Sequence, residues 1–210
     1  MAHSSFDSTD ELTDEQLLAR LRDGDHEWFG TLVRRYEREL YGYLRRYLGD
    51  AELAADVFQN TFVAVFTKIQ QYELGRPARP WLYAIATNQA IDSLRKQKRR
   101  SERTTDPLPT GGDDASGARP LFELLASREP DPAELAVSDE LSKQVRGAVD
   151  QLSDLHKQVI VLSYFQGFKY QDIAEVLGVP LGTVKSRLNS AMAKLTEIWM
   201  KSAATGGLPE

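Results

Sequence analysis

Near its C-terminal end the sequence carries GVPLGTVKSRL, Gly178 to Leu188, preceded by YQDIAEVL and followed by NSAMAKL. Two amphipathic segments joined by a short glycine-containing turn have the spacing of a helix-turn-helix, whose second helix enters the DNA major groove. On a helical wheel Val184, Leu188, Ala191 and Leu195 fall on one apolar stripe, the side that a core would cover. Away from it lie Thr183, Ser186, Asn189, Ser190 and Ala193, flanked by Lys185, Arg187 and Lys194. Small polar side chains let a helix sit deep in a groove, while an amide can pair with adenine and cations with guanine or phosphate. YQDIAEVL would cross the backbone and fix the angle of the reader. The same pattern also suits an ordinary helical hairpin with a small, polar solvent face.

Two further stretches carry candidate chemistry. In RPWLYAIATNQAIDSLRKQKRR, Asn88, Gln89, Asp92 and Arg95 follow one another at helical spacings, and Arg95, Lys96, Lys98, Arg99 and Arg100 could contact phosphates or simply form a solvated basic helix end. In DVFQNTF, Val57, Phe58 and Phe62 are spread too widely round a helix for all three to face one core. Asp56, Gln59 and Asn60 beside them offer acceptors and donors to a basic partner, or make the polar edge of a buried helix. Catalysis finds little to work with. The chain has no cysteine, and its three histidines, His3, His26 and His156, lack metal-ligand spacing. Asp92 near Arg95 and Asp154 near His156 are local surface spacings with no phosphate loop or metal cluster to complete a site. No catalytic residue, metal, cofactor or small-molecule substrate is expected.

The elements that must position these residues read as helices throughout. Thr13 with Gln16 fits a capping box opening a short helix that DGD ends. Apolar positions at 3- and 4-residue steps predict a helix from about His26 to Leu48, broken by Gly49 and Asp50, and another from about Ala51 to Ile69. YELGRPARP makes a loop, and helix resumes over Pro80 to Arg100 with proline in its first turn. Further on, Ala133 to Leu152, Ser153 to Phe165 with Ser153 as cap, Tyr170 to Leu177, and Leu181 to about Met200 complete the set. Between the halves, residues 101–132 are rich in Pro, Gly, Asp and Ser and read as an acidic tether containing a short apolar run, Leu121, Phe122, Leu124 and Leu125. The expected fold is all-α: two small helical domains, residues 13–100 and 133–200, joined by this flexible linker, with tails at 1–12 and 201–210.

Charge follows the same divisions. The formal net charge is −5, yet residues 31–100 carry +6 and residues 151–210 carry +1, whereas 1–30 and 101–150 each carry −6. Much of the acid lies in the tail and the middle, where it would discourage indiscriminate DNA binding. No apolar run approaches bilayer-spanning length and the polar N-terminus is unlike a signal peptide, so a cytoplasmic protein is expected.

The run LSDLHKQVIVLSYFQGFKYQDIAEVLGVPLGTVKSRL closely resembles region 4 of the extracytoplasmic-function (ECF) sigma factors, bacterial transcription-initiation subunits of the sigma-70 type. DVFQNTF resembles the segment with which region 2 of these factors grips core RNA polymerase, and Trp81, Leu82, Ile85, Ala86 and Asn88 match the W-L-x-x-I-A-x-N pattern of the helix that meets the minus-10 element. The resemblance implies that Thr183, Lys185, Ser186, Arg187, Asn189 and Ser190 read the minus-35 element. It implies that Trp81, Asn88, Gln89, Asp92, Arg95, Arg99 and Arg100 serve the minus-10 element, beside a loop, Tyr72 to Arg79, that holds a base flipped from the non-template strand. Asp56, Val57, Phe58, Gln59, Asn60 and Phe62 would bind core polymerase. The implied partners are core RNA polymerase, promoter DNA as duplex and as melted non-template strand, and an anti-sigma factor. Two departures stand out: Asn60 replaces the usual Glu, and Ser190 and the neighbourhood of Met192 lack basic residues common in the family.

Overall fold

The computed structural model describes residues 12–103 and 145–204. The apolar run at 121–125, the acids Asp113, Asp114, Glu123 and Glu129, most of the expected tether and the start of the helix expected from Ala133 lie outside these residues. Among the described residues all regular structure is helical.

Helix α1, Asp14–Arg22, opens with the expected reciprocal cap: Thr13 accepts from the Gln16 N–H and the Gln16 side chain accepts from the Thr13 N–H. Asp14, in its first turn, accepts from the Tyr36 hydroxyl and from Arg35, both at 2.6 Å, and so ties α1 to α2, Phe29–Leu48. The sequence predicts one helix from His26. Instead His26–Trp28 form a separate 3-10 turn, because the Asp25 carboxylate is taken up by the Trp28 indole at 2.9 Å and does not cap the backbone.

Helix α2 ends at Gly49, in the left-handed conformation at φ +75°, and Asp50 then caps α3, Ala51–Lys68, by accepting from the Leu53 N–H at 2.9 Å. A 3-10 turn, Ile69–Gln71, leads into the loop before α4, Ala78–Arg103. Helix α4 runs three residues into the stretch expected to be tether, since Ser101, Glu102 and Arg103 contain no helix breaker. Its first N–H, that of Ala78, donates to Glu15 of α1 at 3.0 Å, placing a carboxylate at the positive end of the helix that ends in the basic run Arg95 to Arg100.

Helix α3 packs against both α2 and α4. Its apolar arc is therefore wide, which corrects the expectation for DVFQNTF: Val57 is fully buried, Phe62 is 5% exposed, and Phe58 packs edge-on against Tyr41 and Phe62. Contact on two sides covers side chains that contact on one side could not.

In the second half, residues 145–150 form helix α5, followed by α6, Asp154–Ile160, and a π turn, Val161–Phe165. Ser153 stands at the N-cap of α6, but its hydroxyl makes no cap; its carbonyl accepts from the N–H groups of His156 and Lys157. Helix α7, Tyr170–Leu177, closes on Gly178 at φ +62°, and α8, Leu181–Ala204, follows. A side chain at position 178 would meet open space, so glycine serves there for its left-handed backbone alone.

The two halves also pack on each other. Helix α4 lies along α7, α2 meets the π turn, and buried residues from Leu17 to Ala191 belong to one continuous apolar core. Nothing in the apolar periodicity announces this, because much of the seam is made by polar side chains that read as solvent-facing.

Candidate nucleic-acid interface

Helix α8 is held by its buried stripe: Val184 and Ala191 are fully buried and Leu188 nearly so, with Leu195 packed against the same core. That anchoring leaves Lys185, Ser186, Asn189 and Ser190 exposed, and Thr183 and Arg187 half-buried at the margins. The Ser186 hydroxyl donates to the Thr183 carbonyl at 3.0 Å, so its proton is engaged while its lone pairs face outward. Lys194 differs from expectation. It is tied to Glu197 at 2.8 Å, as is Lys201 at 2.7 Å, and the hydrogen bonds from these ammonium groups hold the Glu197 carboxyl down at about 2. With Lys194 engaged by Glu197, the cations of this surface that have no ion pair among the described residues are Lys185 and Arg187.

Along α4, Asn88, Asp92, Arg95 and Arg99 succeed one another at steps of four, three and four residues on an exposed face, and Gln89 lies half-buried beside them. Asp92 and Arg95 pair at 3.6 Å, and Arg99 Nε donates to the Arg95 carbonyl. Trp81 lies elsewhere. It is 9% exposed and packs on Tyr72, ring centroids 5.1 Å apart, so most of its surface serves the core and shapes the loop rather than the open face. Beneath the face, buried Thr87 joins the Tyr43 hydroxyl at 2.8 Å and donates to the Tyr83 carbonyl at 2.7 Å, locking α4 to α2.

The loop before α4 is built rather than slack. The Tyr72 hydroxyl donates to the Arg76 carbonyl, Arg22 donates to the Tyr72 carbonyl at 3.2 Å, and Gly75 turns the chain at φ +86°. On α3, Asp56, Gln59 and Asn60 are exposed, while Val57 and Phe62 point inward and cannot reach a partner. The same outer face continues into Val63, 62% exposed, and Phe66, 43% exposed. Sequence reasoning missed this apolar extension, although Val63 stands four residues beyond Gln59 and was legible on a wheel. An acid and two amides bordering exposed Val and Phe make the mixed composition of a protein-binding patch.

Two surfaces of this kind, on separate halves, fit what comparison with known proteins gives. The Sigma-70 region 2 family matches residues 32–100, and the Sigma-70 region 4 family matches residues 142–195. The ECF RNA polymerase sigma-E factor of Haemophilus influenzae is 32% identical over 85% of this chain and 91% of its own length. The chain belongs to the ECF sigma factors. RNA polymerase sigma-H factor of Pseudomonas aeruginosa is similarly related, 30% identical over 83% of this chain and 88% of its own. The fold is shared with the solved structure of CnrH in complex with the cytosolic domain of CnrY, at a TM-score of 0.61 and 24% identity over 90% of this chain and 97% of that one. It is shared also with the sigma factor RpoE bound to the anti-sigma factor NepR from Bartonella quintana, at 0.61 and 22% over 82% and 96%. As an ECF sigma factor the chain is a specificity subunit of RNA polymerase, binding core enzyme and recognising promoter elements to start transcription. Among the described residues no helix is long and apolar enough to cross a membrane.

Proposed function

We propose that this ECF sigma factor divides its work among three surfaces. Helix α8 reads the minus-35 element through Lys185, Ser186, Asn189 and Ser190, with Thr183 and Arg187 at the edge of the reading face. The outer face of α4, Asn88, Gln89, Asp92, Arg95, Arg99 and Arg100, meets the minus-10 element, and the loop Tyr72 to Arg79 receives a base displaced from the non-template strand. A pocket for an unstacked base offsets part of the cost of opening the duplex. The exposed residues of α3, Asp56, Gln59 and Asn60, grip core polymerase together with Val63 and Phe66. Residues 13–100 and 133–200 act as the two domains, and the acidic segment between them runs into polymerase channels otherwise used by nucleic acid. The factor performs no chemistry of its own and works in the cytoplasm, where an anti-sigma factor holds it inactive, in some conditions at the membrane.

The observation that carries the reading is the two-sided build of α8: a buried stripe fixes the helix, and the other side presents short polar groups beside two cations with no ion pair among the described residues. Replacing Lys185 and Arg187 by Ala is expected to reduce transcription from promoters that depend on the upstream box by about 10-fold or more, at roughly 1–3 kcal/mol per base-directed or phosphate contact. Affinity for core polymerase should stay unchanged in a pull-down of the same variant. Equal loss of core affinity would refute the assignment of α8.

A further inference from the structure

Between α5 and the last turns of α8 lies a groove of about 270 Å³, lined by Val145, Ala148, Val149, Leu195, Thr196 and Trp199. Ala148 and Val149 are buried, whereas Val145 is 39% exposed, and Met200, the residue after Trp199, is 67% exposed. The Thr196 hydroxyl is already engaged: it donates to the Met192 carbonyl at 3.0 Å and asks nothing of an occupant. The region 4 match ends at residue 195, whereas α8 continues to Ala204, so Thr196, Trp199 and Met200 stand on a part of the helix outside it. At about 270 Å³ the groove is nearly twice the roughly 150 Å³ that holds one benzene-sized group. It suits a pair of large side chains from one helical turn.

The chain itself supplies such a turn. Residues 104–144 connect the two described parts, and the described chain resumes at Val145, in the wall of the groove. Within that connection Leu121, Phe122, Leu124 and Leu125 stand at i, i+1, i+3 and i+4 around Glu123. By spacing this is one apolar face of a helical turn, the pattern of a helix laid in a groove. Pro120 and Pro130 bound it where proline opens and stops a helix. Leu141, four residues before Val145, falls by its spacing on the α5 stripe and so prolongs the wall; it does not fill the groove.

Charge agrees with this occupant. From Pro120 to Pro132 the acids Glu123, Glu129 and Asp131 outnumber the base Arg128. Around the groove Arg146 is exposed on α5, Lys194 and Lys201 share the Glu197 carboxylate, and Asp150 is taken by buried Lys157. Weak docking is sufficient, because the occupant is tethered. The 19 residues from Ala126 to Gln144 reach on the order of 60 Å when extended, so the run can fold back on the groove. At an effective concentration of about 1 mM, an intrinsic dissociation constant of about 0.1 mM keeps roughly 90% of the groove filled.

We propose that the groove between α5 and α8 is the docking site of the Leu121–Leu125 run of the same chain, which anchors the connecting segment on the C-terminal half. Docking leaves residues 104–120, with Asp106, Asp113 and Asp114, as the span between the halves. It needs neither DNA nor polymerase and goes beyond the surface roles proposed above.

The chain has no cysteine and three tryptophans, Trp28, Trp81 and Trp199, of which Trp199 alone lines the groove. In the full-length protein a nitroxide on Ala126→Cys, beside the run, should erase the Trp199 indole signal from a nitrogen–proton correlation spectrum and leave those of Trp28 and Trp81 sharp. Val145→Glu, at an exposed position, puts a charge in the groove and should restore the Trp199 signal. Leu124→Ser with Leu125→Ser, which leaves every described residue unchanged, should restore it independently. A Trp199 signal as sharp with the nitroxide as without it, or broadening that survives both sets of substitutions, would overturn the proposal. Broadening passed from nitroxide-bearing to nitroxide-free copies in a mixture would also overturn it, by placing the run in the groove of a second molecule.

Discussion

Replacing Asp56 and Gln59 together by Ala is expected to weaken the complex with core polymerase by about 30-fold or more, the consequence of losing roughly 2 kcal/mol at central contacts. Both side chains are exposed on α3 and neither is needed for the core beneath. Their removal should leave the thermal midpoint of the isolated factor within about 2 °C, because surface substitutions away from caps and ion-pair networks change stability little. Titration of labelled factor into core polymerase measures the first quantity, and a melting curve the second. Unchanged core affinity would mean that α3 is not the gripping helix. A large fall in melting temperature would mean that the apparent binding defect is a folding defect.

The opposite pattern is expected one turn away. Phe62→Ala should destabilise the factor by about 3–5 kcal/mol, the usual cost of deleting a buried aromatic ring and leaving a cavity. Phe62 is 5% exposed and lies edge-on to both Phe29 of α2 and Phe58 of its own helix, so the void would open between α2 and α3. At temperatures where the variant remains folded, its affinity for core polymerase should approach that of the wild type, since the side chain reaches no partner. Denaturant unfolding followed by circular dichroism gives the stability change. A stable Phe62→Ala protein with lost core affinity would return this residue to the interface.

The contrast between these two substitutions shows where sequence reasoning succeeds and where it stops. DVFQNTF reads as a candidate interface segment because acid and amide side chains interrupt an apolar run, and the structure leaves Asp56, Gln59 and Asn60 exposed. Which of the apolar residues point outward was not readable. A helix packed on one side hides an arc too narrow for Val57, Phe58 and Phe62, but α3 is packed on two, and that depends on where α4 lies in space. Helix α8 was more legible, because its stripe of Val184, Leu188, Ala191 and Leu195 keeps a single period and its far side follows by subtraction. Even so, Lys194 counted as a free cation until Glu197, three residues on, proved to hold it.

The least legible feature is the seam. Gln158, Gln166 and Glu175 look like solvent-facing residues on amphipathic helices, and their partners, Tyr47, Arg79, Tyr83 and Arg76, lie about 80 to 110 residues earlier in the chain. Periodicity reports which face of a helix is buried, but carries no information on which distant polar group will satisfy a given amide. The cap of α4 by Glu15 is hidden for the same reason: the donor at Ala78 and the acceptor are separated by α2, α3 and the loop. Glycines fared better. Gly49 and Gly178 mark helix ends in the sequence and take left-handed backbone in the structure, because the requirement is local.

The central claim is that α8 and α4 specify promoter elements only when core polymerase delivers them together. Transcription by core polymerase and this factor from a library with randomised upstream and downstream boxes tests it most directly. The account predicts that selected promoters share two boxes at a fixed spacing, that Lys185→Ala with Arg187→Ala erases the upstream preference alone, and that the free factor selects neither box. Transcription independent of both boxes, or tight selection of one box by the free factor without core polymerase, would contradict it.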